Sequence, residues 1–380
     1  MTVTASDDLL PRLPVADPGL RQRHLLALPD GIGPDEVEVL AASRFRAVRW
    51  EDAEPEPAPT RGIVGPVTAA LGIRAVGSTP VRALRVARLS TLTGPYRVTA
   101  QEAVALGLPP TTRVAYDVRC PRERGRPPYP GGDRDGLKRA FPDGMPVREE
   151  ERVLQWLVAA ARRLGGSVRI GEREIVLTPD VEASVDLTVL ADRWVEPPDA
   201  LAVVRTVAPQ AHPPVGAPWA GPLPGSGREA LGWGAEPGGA GLRAALERHG
   251  VDDERERRRL GAEAAAFDEL MLAAPPPELA YGVLVDLGLD GTVSVEVAEE
   301  TELPLLLREV PWAAEGVVAY RVHWEPVDVE ELEAERCSVE HRVARRRVAP
   351  LVQAITRALH ARLGGEVVDE ADFFIDPADL

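Results

Sequence analysis

The sequence has no asparagine, and among its 44 basic residues it has a single lysine, Lys138. Both residue types have A-rich codons, so a GC-rich coding sequence accounts for their scarcity without any functional cause. Cysteine is almost as scarce. Cys120 and Cys337 lie far apart and fit neither a zinc nor a redox spacing, which excludes a disulfide framework and points to a reducing, cytoplasmic compartment. The opening MTVTASDDLL lacks the basic start and apolar run of a secretion signal. No apolar run approaches the roughly 20 residues that span a bilayer, so no membrane segment is expected. HExxH, GxSxG and Walker patterns do not occur, and the glycines of GWGAEPG (232–238) have the wrong spacing for a dinucleotide loop. No cofactor is expected.

The chain is strongly acidic, with a net charge of −16. A phosphate backbone is repelled by such a field, so nucleic acid is disfavoured as a partner. Hydrophobic residues make up 44% of the 380 positions, enough for two or three domains with packed cores. Aromatics reach only 4%, yet seven of them are tryptophan.

The strongest positive signal is an internal repeat. TRVAYDVRCP (112–121) resembles GVVAYRVHWEP (316–326), with Tyr116 over Tyr320, and both alternate as half-buried strands do. A helix follows in each case, EEERVLQWLVAAARRLGG (149–166) and RRVAPLVQAITRALHARLGG (346–365). Aligning their Leu-Gly-Gly ends puts Val153, Trp156, Leu157, Ala160 and Leu164 over Val352, Ile355, Thr356, Leu359 and Leu363, one helix face in both. Each copy ends in a strand, EIVLTPD (174–180) and DFFIDPAD (372–379). Each also begins with a hairpin, LRVARLSTLTGPYRVTA (84–100) and YGVLVDLGLDGTVSVEV (281–297), the second turning at Asp290-Gly291. The expected fold is α+β: two duplicated β-β-β-α-β units in a pseudo-two-fold arrangement. In each, an antiparallel sheet carries a helix on one face.

The remaining sequence sets the domain limits. Residues 1–60 read as a small N-terminal α/β segment, with a helix at 34–45, closed by the acidic, Pro-rich linker EDAEPEPAPT (51–60). Residues 61–210 hold a short helix at 60–73, the first repeat and a β-α extension, SVDLTVLADRWV (184–195) followed by a helix at 197–210. Residues 211–241 form a Pro/Gly-rich linker anchored by Trp219 and Trp233. Residues 242–380 hold a charged helix and the second repeat.

The copies differ most between strand and helix, where the first carries a longer loop, RCPRERGRPPYPGGDRDGLKRAFPDGMP (119–146). From Arg119 to Arg139, the cations Arg119, Arg122, Arg124, Arg126, Arg134, Lys138 and Arg139 face only Glu123, Asp133 and Asp135. Loops on a rigid scaffold carry function, and arginine forks suit phosphate or carboxylate. The candidate anion- or partner-binding set is therefore Arg122, Arg124, Arg126, Asp133, Asp135, Lys138 and Arg139. Set against it is a plainer reading, in which these arginines pair with the protein's own surplus of carboxylates. Asp133 and Asp135 lack the spacing of a calcium loop and do not complete a metal shell, so no metal is expected. Lys138, beside Arg139 in a polar loop, reads as an ordinary ammonium rather than a nucleophile. Cys337 and His341 stand four apart but make only two ligands. RVARRR (342–347) places arginines at a helix start, with DVEELEAE (328–335) as the expected partner.

The functional expectation is a non-catalytic binding or interaction module for a protein or a small anionic ligand. The alternative is a metal-assisted hydrolase or transferase acting on a phosphorylated or carboxylated substrate, with Asp133 or Asp135 as metal ligand or base.

Overall fold

A computed structural model describes residues 10–52, 81–214, 255–263, 280–314 and 316–380. The linker at 51–60 and the helix expected at 60–73 lie almost wholly outside these residues. So does the segment carrying Trp219 and Trp233. The chain divides into a large unit, residues 1–212 and 282–380, and a small one, residues 213–281. Within the small unit residues 255–263 are helical, and Arg259 pairs with Glu256 and Glu263 on successive turns.

The fold is α+β with two antiparallel sheets. In chain order the first half supplies β1 (His24–Leu28), helix α1 (Pro34–Ala42), β2 (Arg49–Asp52), β3 (Arg82–Arg85), β4 (Thr91–Arg97), α2 (Ala100–Ala105), β5 (Val114–Arg119), α3 (Leu137–Ala140), α4 (Arg148–Arg163), β6 (Ser167–Ile170) and β7 (Ile175–Leu177). The second supplies β8 (Leu187–Ala191), α5 (Pro197–Arg205), α6 (255–263), β9 (Ala280–Asp286), β10 (Thr292–Glu300), β11 (Val317–Glu325), α7 (Val339–Leu363), β12 (Glu366–Asp369) and β13 (Phe374–Ile375). The seven-stranded sheet runs β2-β3-β4-β5-β1-β6-β7 and the six-stranded sheet β13-β12-β8-β11-β10-β9. No described helix is long and apolar enough to cross a membrane.

Two features depart from the sequence reading. The N-terminal segment is not separate: β1 lies in the first sheet between β5 and β6, with Leu26 opposite both Tyr116 and Val168. All five residues of HLLAL are buried, which requires a neighbour on each side and cover on each face. Nor does the strand at 187–191 extend the first sheet. It lies between β11 and β12 in the second, with Val189 opposite both Tyr320 and Val367.

The first sheet is covered on both faces and the second on one face and part of the other, and alternation assigns the side chains. Leu26 and Leu28 point into a core made with α1 and α4, while Leu25 and Ala27 point into a second core with Leu13, Leu20 and α2. Helix α4 begins with Glu149, Glu150 and Glu151 and ends with Arg162 and Arg163, the order its dipole favours. Trp156 anchors it: the indole donates to the Leu40 carbonyl at 2.9 Å and meets Phe45 edge-on at 5.7 Å. Helix α7 lies on β8 and β11 and buries Val348, Val352, Ile355, Leu359 and Leu363. Each such side chain contributes roughly 1.5–3 kcal/mol on burial. Opposite α7, short turns at Leu305–Glu309 and Pro311–Ala313 cover Leu190, Ala319 and Val368.

Candidate functional site

The loop after β5 is the segment singled out by sequence, and most of its charges are spent inside the molecule. Arg122 donates to the Gln22 carbonyl at 2.5 Å and pairs with Glu172 at 3.3 Å. Arg124 pairs with Glu172 at 2.8 Å and with the fully buried Glu150, and its guanidinium lies 4.7 Å over the Phe141 ring. Arg139 forks onto Glu335, and Arg134 onto Glu370 while also donating to the Ala183 carbonyl at 2.6 Å.

Asp133 accepts the Lys138 and Arg139 amides at 2.8 Å each, capping α3, and its own amide donates to the Glu333 carbonyl at 2.8 Å. Asp135 pairs with Arg162, which also holds Glu370. Lys138 is half-buried and Arg126 exposed, and neither has an ion pair among the described residues. Asp135 and His341 border one cleft of about 110 Å³, but Asp133 and Lys138 do not join them. The loop is thus a strap across the 329–335 turn rather than an open arginine cluster.

The arginines of α7 also find partners other than the 328–335 run. Arg345 pairs with Asp180 at 2.5 Å, Arg346 with Glu182 at 2.8 Å and Arg347 with Asp290 at 3.3 Å. Burial raises the Asp180 pKa, but Arg345 and the Glu182 amide more than offset it, leaving the carboxyl below its ordinary value.

Sequence reasoning missed a buried group at the base of the strap. His24, Cys120 and Glu150 bring their ligating atoms within 4.8 Å of one another. Sequence separation hides the group, since β1, the end of β5 and the start of α4 each supply one member. Glu150 Oε2 accepts the Glu123 amide at 2.8 Å, and Oε1 lies 3.6 Å from His24 Nε2. The Gly171 amide donates to His24 Nδ1 at 3.3 Å, which puts the ring proton on Nε2, facing Glu150. A metal on Nε2 would need that lone pair and would push the proton onto Nδ1, against the Gly171 N–H. Nδ1 accepts the Gly171 amide and Nε2 carries the proton, so neither nitrogen offers Cys120 a free lone pair. Burial, followed by the Glu150 charge, pushes the Cys120 thiol up to about 12, the reverse of an activated nucleophile. The group is a buried polar tie between β1, α4 and the strap.

A second trio lies on the outer face of the β10–β11 ladder. Ser294 is opposite His323, whose Nε2 is 3.3 Å from Glu296. The Ser294 hydroxyl is buried with no hydrogen-bond partner among the described residues, so no base holds its proton.

A further feature is partly apolar. At the start of α7 a groove of about 300 Å³ is lined by Leu289, Trp324, Pro326, Val327 and Ala344. Leu289 is 95% exposed and Val327 74%, yet the turn bearing Leu289 is held firmly. The Trp324 indole donates to the Asp290 carbonyl at 2.7 Å, Arg347 reaches the Asp290 carboxylate, and the Leu287 amide donates to Gly291 at 2.9 Å. Gly291 adopts φ +91°, and a Cβ there would lie 2.2 Å from the Glu325 carbonyl. Under the groove the Trp324 and His341 rings stack tilted at 5.0 Å. Burial, then Arg345, lowers the His341 pKa, which favours the neutral ring there. Compared with protein-family models, curated proteins and solved structures, the chain matches none of them.

Proposed function

We propose that this protein is a non-catalytic interaction module that engages a protein partner through the groove beside α7, built on two copies of one duplicated unit. The observation that carries the first part is Leu289: a leucine almost wholly in solvent, on a turn fixed by an indole, an arginine and a glycine. Exposed apolar side chains are ordinary singly. Here Val327 joins Leu289 over an aromatic floor, which is the make-up of a docking surface rather than of random exposure. Of the two partner classes the sequence allowed, the protein is favoured over the small anion, because Arg122, Arg124, Arg134 and Arg139 of the strap are already paired. The enzyme alternative has no geometric support, since Asp133 caps a helix and Asp135 neutralises Arg162.

The duplication is supported by strand order. Reading β3-β4-β5-β1-β6-β7 against β9-β10-β11-β8-β12-β13 matches every neighbour. It makes β1-α1 the counterpart of β8-α5, so the repeat begins earlier in each half than the hairpins. Leu26 faces Tyr116 and Val168 as Val189 faces Tyr320 and Val367. The tight turns into β7 and β13 each place a non-glycine residue at positive φ, Glu174 at 55° and Asp372 at 60°.

Capture from a cell lysate by the immobilised full chain tests the interaction, with Leu289→Ser as the comparison. The substitution leaves charge and core untouched. A partner identified by mass spectrometry should be held by the parent protein and depleted at least about tenfold on the variant, a change of about 1.4 kcal/mol. Equal recovery on both overturns the proposal.

A further inference from the structure

The chemistry of the groove's rim specifies the partner more closely. Resting on the reading above, we infer that the groove receives a basic amphipathic segment of another protein, its apolar side chains seated on Leu289, Val327 and Trp324 and its lysines or arginines against the surrounding carboxylates. Four carboxylates border the groove: Asp290, Asp328, Glu331 and Glu340. Arg347 neutralises the first. The other three have no ion pair among the described residues. Asp328 and Glu331 accept backbone amides, of Glu330 at 3.1 Å and Ser338 at 2.7 Å, which orients them without cancelling their charge. Glu340 is exposed on the first turn of α7.

Uncompensated charge of one sign beside an apolar floor selects among partners. An acidic segment would meet like charge, and a neutral apolar one would leave the rim carboxylates without partners. A basic amphipathic segment satisfies both surfaces, the mode of a helix laid into a groove. The whole-protein charge of −16 adds long-range attraction for the same class. Preorganisation favours affinity, since the Leu289 turn is already fixed and little ordering remains to oppose binding.

Fluorescence anisotropy with the full chain separates the outcomes. The probes are a labelled lysine–leucine amphipathic peptide, a glutamate–leucine peptide of the same pattern, and a lysine–serine peptide that keeps charge but not apolarity. The lysine–leucine peptide should bind at least about tenfold tighter than either other, weaken with added salt, and lose about tenfold against Leu289→Ser or Val327→Ser. Asp328→Asn with Glu340→Gln keeps the turn and the helix start while removing charge, and should flatten the salt dependence. Binding of lysine–serine as strong as lysine–leucine, or indifference to Leu289→Ser, overturns the inference as mere bulk charge. Preference for glutamate–leucine that still requires Leu289 overturns the partner class but leaves the interaction reading intact. A dimer of the parent protein that Leu289→Ser dissolves makes a second copy the occupant and also overturns it. Lysate capture indifferent to Leu289 is the distinct failure of the interaction reading itself.

Discussion

The Tyr320 hydroxyl donates to the Arg193 carbonyl at 2.8 Å and accepts the Val195 amide at 2.9 Å, tying the centre of the second sheet to the connection entering α5. Tyr116, at the matching place in the first sheet, is equally buried, but its hydroxyl has no hydrogen-bond partner among the described residues. Removing each hydroxyl should therefore have unequal effects. Tyr320→Phe removes both of these hydrogen bonds and should cost about 1–3 kcal/mol, whereas Tyr116→Phe removes an unsatisfied group and should be neutral or mildly stabilising. Urea midpoints of the two variants check this, and equal losses would contradict it.

The helix ends offer a second comparison. Gly166 follows α4 so closely on the β1 backbone that a Cβ would lie 2.5 Å from the Ala27 carbonyl; at Gly365, after α7, it would lie 2.1 Å from the Leu190 carbonyl. Each alanine substitution should cost roughly 1–3 kcal/mol by overpacking, with Gly365 paying further for φ +84°. Gly165 has φ +65° but open space around it, so Gly165→Ala should lose only about 1 kcal/mol. Parallel losses at Gly166 and Gly365 are what a duplicated unit entails, and a harmless substitution at either would argue against it.

These glycines also show what the sequence discloses and what it hides. The Leu-Gly-Gly ends, the apolar face of α7 and the alternating hairpins follow local period and turn chemistry, so they are legible in one dimension. The place of HLLAL is not, because a short apolar run has the same composition at an edge or a centre, and only pairing across β5 and β6 decides. SVDLTVLADRWV reads equally well as the end of one half or the start of the next. The arginine loop was legible as a cluster but not as a strap, since Glu335 and Glu370 are distant in sequence. Leu289 lies in a hairpin between valines, where a leucine reads as core. Its exposure depends on how the turn stands against α7, which no local pattern records.

A buried and a half-buried carboxylate predict opposite pH responses. For Glu150, burial raises the pKa, but His24, Arg124 and the Glu123 amide more than reverse it, leaving it below the ordinary value. Its stabilising contribution is present at neutral pH and lost as pH falls through the lowered folded-state value. Glu150→Gln should cost roughly 3 kcal/mol at neutral pH, with the gap closing in acid. For Asp186, burial outweighs the Trp324 amide and the pKa is raised. The folded state then holds the proton more tightly, so ionisation erodes stability as pH rises above the ordinary aspartate range. Asp186→Asn keeps an acceptor for Trp324 and should stabilise the protein at neutral pH and change little near pH ~3. Urea titrations across pH measure both, and a matching sign for the two variants would refute the assignment.

The last prediction concerns Cys120, where composition invites a reactive thiol and the surroundings forbid one. With its pKa pushed up to about 12, the thiolate fraction at pH ~8 is on the order of one in ten thousand. His24 Nδ1 accepts the Gly171 amide and Nε2 carries the ring proton, so the imidazole cannot draw off the thiol proton. In the native protein Cys120 should resist iodoacetamide for hours under conditions that alkylate an ordinary exposed thiol within minutes, and should react at that ordinary rate in urea. Peptide mapping after a timed pulse distinguishes it from Cys337. Glu150→Gln removes a neighbouring charge that helps raise the thiol pKa and a principal tie of the strap, so it should speed native alkylation of Cys120 both by easing ionisation and through local opening. Fast alkylation of the parent protein would mean that the thiol is activated, and the reading of this group as a structural tie would fail.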